Sequence, residues 1–388
     1  MKFNQPIFIT GAKRTPIGRF GGGLASLSPT ELVVQLAQSV VPDALKLSID
    51  EVVLGQVLQA GAGMNIARQL GLKLGLPQSS PAFTVNMACA SGLKAVALAA
   101  QSIAQGETSL ALAGGVESMS RAPHYAMDLR FGKKLGDAAL VDAIFTDGLS
   151  DPVLKIGMGE TAERVAEEFG VTRSDQDAFS EQSQQRAAKS KEAFKRETVA
   201  IRTRESLIEA DEHPRADTTT EKLAQLKAAF REGGTVTAGN SSGINDGAAL
   251  LLLADEAALK KHGFQARARI AASCAVGCDP AMMGLGPVFA IRKLCEQTGW
   301  NLSEVDAIEI NEAFAAQALA CARELGASMA QLNQRGGAIA LGHPIGASGA
   351  RVLVTLLHIM EDHDLKRGIA SLCVGGGMGI AMAIERDG

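Results

Sequence analysis

ASGLKAVALAAQSIAQGETSLALAGG, residues 90–115, and ASGARVLVTLLHIMEDHDLKRGIASLCVGG, residues 347–376, are the two stretches whose reading decides the fold. Each opens on Ala-Ser-Gly, continues through an apolar segment of helical period, and closes on a strand-like run that ends in paired glycines. One supersecondary unit used twice accounts for this match in order; chance likeness between small-residue segments is the alternative. Outward from the first copy, residues 6–10, 51–57, 82–87 and 109–113 read as strands, and 30–46 and 91–105 as helices. The rhythm returns after residue 265: strand 267–274, helix 287–298, strand 305–310, helices 313–325 and 347–362, strand 368–374. Such alternation predicts an α/β fold with a mostly parallel sheet and helices packed on it. Between the copies, about Ser118 to Asn245 is polar, charged and helix-rich, and reads as a large insertion folded over a site.

A chain of 388 residues suits two or three domains, with a core that needs no disulfide or metal. Its net charge of −4 excludes a broad surface for a polyanion, so no nucleic-acid partner is expected. The longest unbroken apolar run, Ala248 to Ala254, falls far short of the roughly 18 residues of a membrane span. MKFNQPIFITGAKRTP has neither a signal nor a transit pattern, and AIERDG is no peroxisomal address. A cytoplasmic protein without membrane attachment is therefore expected. The cysteines at 89, 274, 278, 295, 321 and 373 form no Cys-x-x-Cys pair, so neither a disulfide framework nor a metal site is signalled.

Four places carry chemistry. Cys89, in TVNMACASGLKAV, lies between a strand end and a helix start, where free amides and the helix dipole favour a thiolate. A buried, inert cysteine is the competing reading. His343, in LGHPIGASGARVL, is held between glycine and proline just before a helix, and can take a proton from a thiol or donate to an oxyanion. Cys373 ends a strand and precedes Gly375, Gly376, Gly377 and Gly379, glycines that let backbone amides approach a substrate. They are no dinucleotide fingerprint, since the chain ends about ten residues later without a phosphate-binding helix. Asn311, in IEINEAFAAQALA, stands at a strand-to-helix junction, where it can cap the helix or hold a water against a substrate oxygen. Two cysteines and one histidine at strand ends suit a Claisen condensation: one thiol to carry the acyl group, one base at the α-carbon, and two oxyanion sites.

NMACASG, GNSSGINDGAA, NEAFA, GHPIGASG and CVGGGMG resemble the signature blocks of the thiolase family, and occur in the family's order along essentially the whole chain. The resemblance implies two similar βαβαβ-based domains packed as a layered α/β structure with an inserted loop domain. Residues 1–118 and 247–268 would form the N-terminal domain, 119–246 the loop domain that grips coenzyme A, and 269–388 the C-terminal domain. It implies that Cys89 is the acylated nucleophile, His343 its activator and Cys373 the acid/base at the α-carbon. Asn311 (through a water) and His343 would form one oxyanion hole, and the amides of Cys89 and Gly375 the other. Ser242 would bond the pantetheine portion and Arg215 would lie near the nucleotide end. Met158 and Met283 would line the acyl pocket, with Phe314 also on the substrate side. Coenzyme A would come and go as substrate and product, with no tightly bound cofactor.

KKLGDAALVDAIFTDGLSD, residues 133–151, resembles the loop of the acetoacetyl-CoA-forming branch. Acyl-CoA substrates and condensation of two acetyl-CoA to acetoacetyl-CoA are therefore expected. Gly157 stands where that branch often has His, and a broader 3-ketoacyl-CoA thiolase is the alternative. A ketoacyl synthase would bring a second histidine in place of Cys373; a non-catalytic acyl-CoA-binding relative would not need all four positions. The resemblance also implies a homotetramer built as a dimer of dimers. Subunits would pair through 82–92 and 109–117, and dimers would join through the basic and apolar stretch 121–145.

Overall fold

The computed structural model describes residues 3–386; Met1, Lys2, Asp387 and Gly388, at the tips of the MKFNQPIFITGAKRTP and AIERDG segments, lie outside the described residues. Nine strands form the path of one large sheet: β1 (Phe8–Arg14), β2 (Glu51–Gly55), β3 (Ala82–Val85), β4 (Leu110–Ser118), β5 (Asn245–Ala254), β6 (Ala268–Gly277), β7 (Ala307–Ile310), β8 (Arg367–Val374) and β9 (Met378–Glu385). Their spatial order is β7-β8-β9-β6-β1-β5-β4-β2-β3, and a two-residue strand, Gly18–Arg19, pairs on β5.

This order contains the repeat. Counted from the middle, the first half runs β1-β5-β4-β2-β3, that is first, fifth, fourth, second, third in its own chain order. The second half runs β6-β9-β8-β7, and a single parallel bridge from Ile308 to Leu332 takes the place of its third strand. The halves meet where β1 and β6 pair antiparallel through Phe8–Arg269 and Ile9–Ala268.

The expected mostly parallel sheet is corrected. Pairings β4–β2, β2–β3 and β7–β8 are parallel, while β8–β9, β9–β6, β6–β1, β1–β5 and β5–β4 are antiparallel. β5 and β9, which lie outside the strands expected from the sequence, are the ones that reverse direction. β9 follows β8 through Gly376 and Gly377 at φ 84° and 81°, left-handed positions that glycine adopts without strain, so no crossover helix intervenes.

Side-chain alternation sorts the core into layers. On β5, Ala249, Leu251 and Leu253 face one cluster, while Leu250, Leu252 and Ala254 face another. The first cluster also holds α3 (Ser91–Ala104), α8 (Ile345–Asp362) and residues of β8 and β9, so these two helices lie between the half-sheets. The outer faces are covered by α1 (Pro29–Val40) and α2 (Ile66–Leu74) on one half, and by α6 (Gly286–Thr298) and α7 (Ala315–Leu325) on the other. The helix expected over 30–46 stops at Val40, because Pro42 cannot continue it and a 3₁₀ turn, Asp43–Ser48, follows.

The crossing of α3 and α8 fixes the site. A Cβ on Gly349 would stand 2.4 Å from the Leu93 nitrogen, one on Gly92 2.9 Å from the Ala350 nitrogen, and one on Gly115 2.1 Å from the Gly346 oxygen. Only glycine lets these backbones approach, and the approach brings the two helix starts together.

Residues between β4 and β5 add no strand to the large sheet; they carry α4 (Met158–Glu168), α5 (Arg173–Lys189) and three two-stranded ribbons. Stretch 109–117 is essentially β4, buried between β5 and β2, so it offers no surface to a second subunit, contrary to expectation. Only β3, of the two expected contact segments, lies at a sheet edge. No helix among the described residues is long and apolar enough to cross a membrane. No cluster of metal-ligating side chains occurs among them.

Candidate active site

Cys89 occupies the turn between β3 and α3. Ala88 before it has φ 44°, in the left-handed region that costs a non-glycine residue about 1–2 kcal/mol. Ser91 holds the turn: its Oγ accepts from the Met87 amide at 2.9 Å and donates to the Ala88 carbonyl at 2.7 Å. Cys89, itself half-buried, packs against an apolar cluster of Val57, Leu58, Met119, Ile144 and Ile345. Burial pushes the thiol up to about 11, although the amides of Gly375 and of Cys89 itself donate to the sulfur and oppose the rise. The expectation of a helix-lowered thiol is thus overturned. Desolvating a thiolate costs more here than two amide dipoles return, and the resting group is a thiol.

His343 follows Gly342 and is buried, with its amide donating to Asn245 Oδ1 at 2.9 Å. Its Nδ1 lies 2.6 Å from Ser348 Oγ, which also lies 2.9 Å from the Pro344 carbonyl. Arg351 donates to Asn311 Oδ1, so the Asn311 amide presents Nδ2–H to Nε2, which must accept; Nδ1 then carries the proton and donates to Ser348 Oγ, whose own proton points to the Pro344 carbonyl. The imidazole is therefore the Nδ1–H tautomer, with a lone pair on Nε2. Burial, assisted by the Arg351 charge, holds its pKa down to about 3, so it is neutral.

Asn311 leaves β7 and is fully buried; its amide donates to the Ser371 carbonyl of β8 at 3.0 Å. Its Oδ1 accepts from Arg351 Nη2 at 3.3 Å, and its Nδ2 faces His343 Nε2 at 3.4 Å. The helix-cap reading does not hold: Phe314 is the N-cap of α7, and no side chain caps it.

Cys373, next to last in β8, is buried and pushed well above the usual thiol range, by burial first and then by charge on Cys89; the Gly375 amide, two residues on, donates to the Cys89 sulfur and brings this strand end to the same site. Met158, Met283 and Phe314, expected around the acyl group, pack with Cys373, Ala162, Val236 and Ala313 as one apolar cluster. A Cβ on Gly375 would stand 3.4 Å from Met158 Sδ, so this glycine lies against the same wall. Ser242 ties the GNSSG segment to that wall through its amide, which donates to the Ala313 carbonyl at 2.9 Å. Arg215 stands further out, beside a cavity of about 460 Å³ lined also by Arg19, Phe20, Glu212, His213 and Ile244. Ile244 belongs as well to the apolar cluster around Cys89.

Sequence reasoning missed five residues. Phe230 stacks edge-on against Phe314 at 5.9 Å, Asn245 holds the His343 backbone, and Ser348 and Arg351 act on the two polar side chains. Glu117, at the end of β4, accepts from the amides of Val57 at 3.0 Å, Leu58 at 3.2 Å and Gly346 at 2.9 Å. Burial pushes its carboxyl up to about 7 against these three bonds. A lone Glu closing the apolar run LALAGGVES, and a lone Arg inside GARVLVTLL, were signals that could have found two of them.

Chemistry with a desolvated thiol, a neutral imidazole and a second buried thiol belongs to enzymes that carry an acyl group on cysteine. Residues 7–257 match the family model described as Thiolase, N-terminal domain, and residues 264–386 match Thiolase, C-terminal domain. The chain belongs to the thiolase family. It is 50% identical, over 99% of its length and 100% of the relative, to a protein of Pseudomonas aeruginosa named acetyl-CoA acetyltransferase. It is 48% identical, over 99% and 100%, to a probable acetyl-CoA acetyltransferase of Escherichia coli K12. Among solved structures, the Bacillus anthracis acetyl-CoA acetyltransferase superposes with a TM-score of 0.95 at 42% identity, covering 99% of this chain and all of that one. Human mitochondrial 3-ketoacyl-CoA thiolase, in complex with CoA, superposes with a TM-score of 0.96 at 39% identity, covering 100% and 99%.

Proposed function

We propose that this thiolase reversibly condenses two acetyl-CoA to acetoacetyl-CoA and CoA through an acetyl-Cys89 intermediate. The observation that carries the reading is the convergence of a half-buried Cys89 thiol and a neutral His343: Ile345, two residues beyond His343, belongs to the apolar cluster against which Cys89 packs, and the His343 lone pair is on Nε2. The names of the bacterial relatives point to the same activity.

In the first half-reaction, Cys89 gives its proton to His343 Nε2 and its sulfur attacks the acetyl carbonyl. The amides of Cys89 and Gly375 stabilise the oxyanion. The departing coenzyme A sulfur takes a proton from Cys373. What remains is a Cys373 thiolate and a His343 imidazolium, a pair that adds no net charge to a desolvated site. In the second half-reaction, the thiolate removes an α-proton from the next acetyl-CoA. Asn311, through a water, and the imidazolium stabilise the enolate, which attacks acetyl-Cys89. The released Cys89 sulfur recovers its proton from His343, and every group is restored. Ser242 and Arg215 bind coenzyme A along the insertion, with Met158, Met283 and Phe314 around the acyl group; no other cofactor is needed.

The domain reading of 1–118 with 247–268, 119–246 and 269–388 belongs to this proposal, as do a cytoplasmic location, a part in fatty-acid metabolism and a homotetrameric assembly. A second reading has its own observation. A Cβ at Gly157 would meet only the Leu149 oxygen, at 3.9 Å, leaving open space next to Met158, which suits a broader 3-ketoacyl-CoA thiolase. Thiolysis rates separate the two: a clear preference for acetoacetyl-CoA supports the first, and equal or faster rates with longer 3-ketoacyl-CoAs overturn it. In Cys373→Ala, acetyl-CoA should still acetylate Cys89, while condensation and α-proton exchange should cease. Near-normal exchange would show that another base does the work.

A further inference from the structure

We propose that Ser348 and Arg351, one turn apart on α8, are positioning residues that fix the hydrogen-bond polarity of His343 and Asn311, and that they govern different half-reactions. The inference rests on the mechanism above but adds residues and a division of labour to it. Ser348 acts on the imidazole. Its Oγ donates to the Pro344 carbonyl at 2.9 Å, and Asn311 Nδ2–H faces Nε2 at 3.4 Å, so the hydroxyl accepts from Nδ1–H, 2.6 Å away. That leaves Nε2 as the acceptor of the Cys89 proton. Without the hydroxyl, the two neutral tautomers become similar in energy, and the one with Nε2–H cannot take a proton there.

Arg351 acts on the amide. It is 2% exposed, in a helix otherwise apolar over the same turns. A guanidinium only donates, so the contact of Nη2 with Asn311 at 3.3 Å selects Oδ1 and turns the Nδ2 donors toward His343 Nε2. The flipped amide would set its oxygen against the Nε2 lone pair. The donors of Asn311 serve the enolate oxygen through a water, so Arg351 matters to condensation. Ser348 serves a proton transfer that both half-reactions use. The bland alternative is that Arg351 merely neutralises the buried carboxylates Glu309 and Glu312, whose charges it feels. Lysine would do that equally well, without a planar fork to orient an amide.

The test separates the half-reactions. Acetylation of Cys89 is followed by mass spectrometry after rapid mixing with acetyl-CoA, and condensation by acetoacetyl-CoA formation. Arg351→Lys should acetylate Cys89 at close to the parent rate while condensation falls about 100-fold, the scale of a lost oxyanion donor. Equal loss in both steps, or retained condensation, overturns the assignment. Should Arg351→Lys melt early, Arg351→Lys with Glu309→Gln replaces the neighbouring buried acid by its neutral isostere and carries the same comparison. Ser348→Ala should slow both steps by at least about tenfold, and Ser348→Thr should restore them. The ¹⁵N spectrum of His343 should show the Nδ1–H form in the parent and a mixture in Ser348→Ala; an unchanged tautomer overturns the role of Ser348. If the parent itself fails to acetylate Cys89, the mechanism falls, while the tautomer measurement still decides the role of Ser348.

Discussion

At Cys89 the balance of forces differs from what a cysteine at a helix start suggests. Two amides donate to the sulfur, but burial wins: the thiol is held up at about 11, and the His343 imidazole is held down at about 3. The resting pair is therefore thiol and neutral imidazole, and charge appears only when the acyl group arrives. Alkylation of the substrate-free enzyme at Cys89 should climb with pH and show no plateau below about pH 10. A plateau between about pH 6 and 7 would mean a preformed thiolate–imidazolium pair, and would sink this account. Acetyl-CoA should protect the same cysteine, because the acyl group occupies the sulfur. Glu117 poses a related question. Its oxygens accept three amides from two separate segments, and Glu117→Gln would replace one acceptor by a donor facing those amides. Denaturant unfolding should register a loss of about 1–3 kcal/mol; a change near zero would show that the clamp is dispensable.

The repeated Ala-Ser-Gly does one job twice at the start of each central helix. The serines, Ser91 and Ser348, bond back to the turn before their own helix, one shaping the Cys89 turn and the other holding His343. The glycines, Gly92 and Gly349, let α3 and α8 cross closely enough for those turns to share a site. Gly349→Ala would place a Cβ 2.4 Å from the Leu93 nitrogen and 2.7 Å from its Cβ, so the helices must part. Overpacking of this kind costs about 1–3 kcal/mol. The thermal midpoint should drop, and Cys89 acetylation should slow more than stability alone explains; unchanged acetylation in a folded variant would show that the crossing is not what positions the pair. Much of this was legible in the sequence, because glycine, serine, cysteine and histidine at helix starts have few other reasons to recur in order. The direction of β5 and β9 was not, since an apolar run such as GAALLLLA carries no mark of which neighbour it joins. Nor was the tautomer of His343, which depends on where one hydroxyl proton goes.

On the scale of the whole molecule, a charge network joins β1, the insertion, the loop that holds Arg335 and the end of α8. Arg14, fully buried, pairs with Glu197 and Asp211 at 2.6 Å each, and Arg335 reaches Glu197 at 3.9 Å and pairs with Asp362. Burial works against the Arg14 charge, but its two carboxylates overcome it and raise its pKa. Glu309 is the contrary case: burial, against the pull of Arg351, raises its carboxyl to about 8. The folded chain there keeps a proton that the unfolded chain releases above its ordinary value of 4.5, so this group's contribution to stability is complete below that pH and is lost progressively as pH rises to about 8. Glu309→Gln should therefore flatten part of the fall in thermal midpoint between about pH 5 and pH 8; parallel curves for parent and variant would place the proton elsewhere. Assembly is the remaining question at this scale. β3 has a partner on one side only, and Cys89 lies four residues beyond it, so pairing two copies edge to edge would brace the nucleophile turn. The stretch 121–145 is a different surface, with Phe131 94% and Leu135 91% exposed among Arg130, Lys133 and Lys134. Large apolar side chains standing free on a basic ribbon call for a covering surface, and a second dimer is the one this family relationship suggests. Light scattering should give a tetramer for the intact chain. Deleting residues 128–138 should give a dimer that keeps measurable activity, because the catalytic side chains and their supports all lie elsewhere. An intact chain already dimeric at micromolar concentration would refute the tetramer and return Arg130, Lys133 and Lys134 to steering the phosphates of coenzyme A.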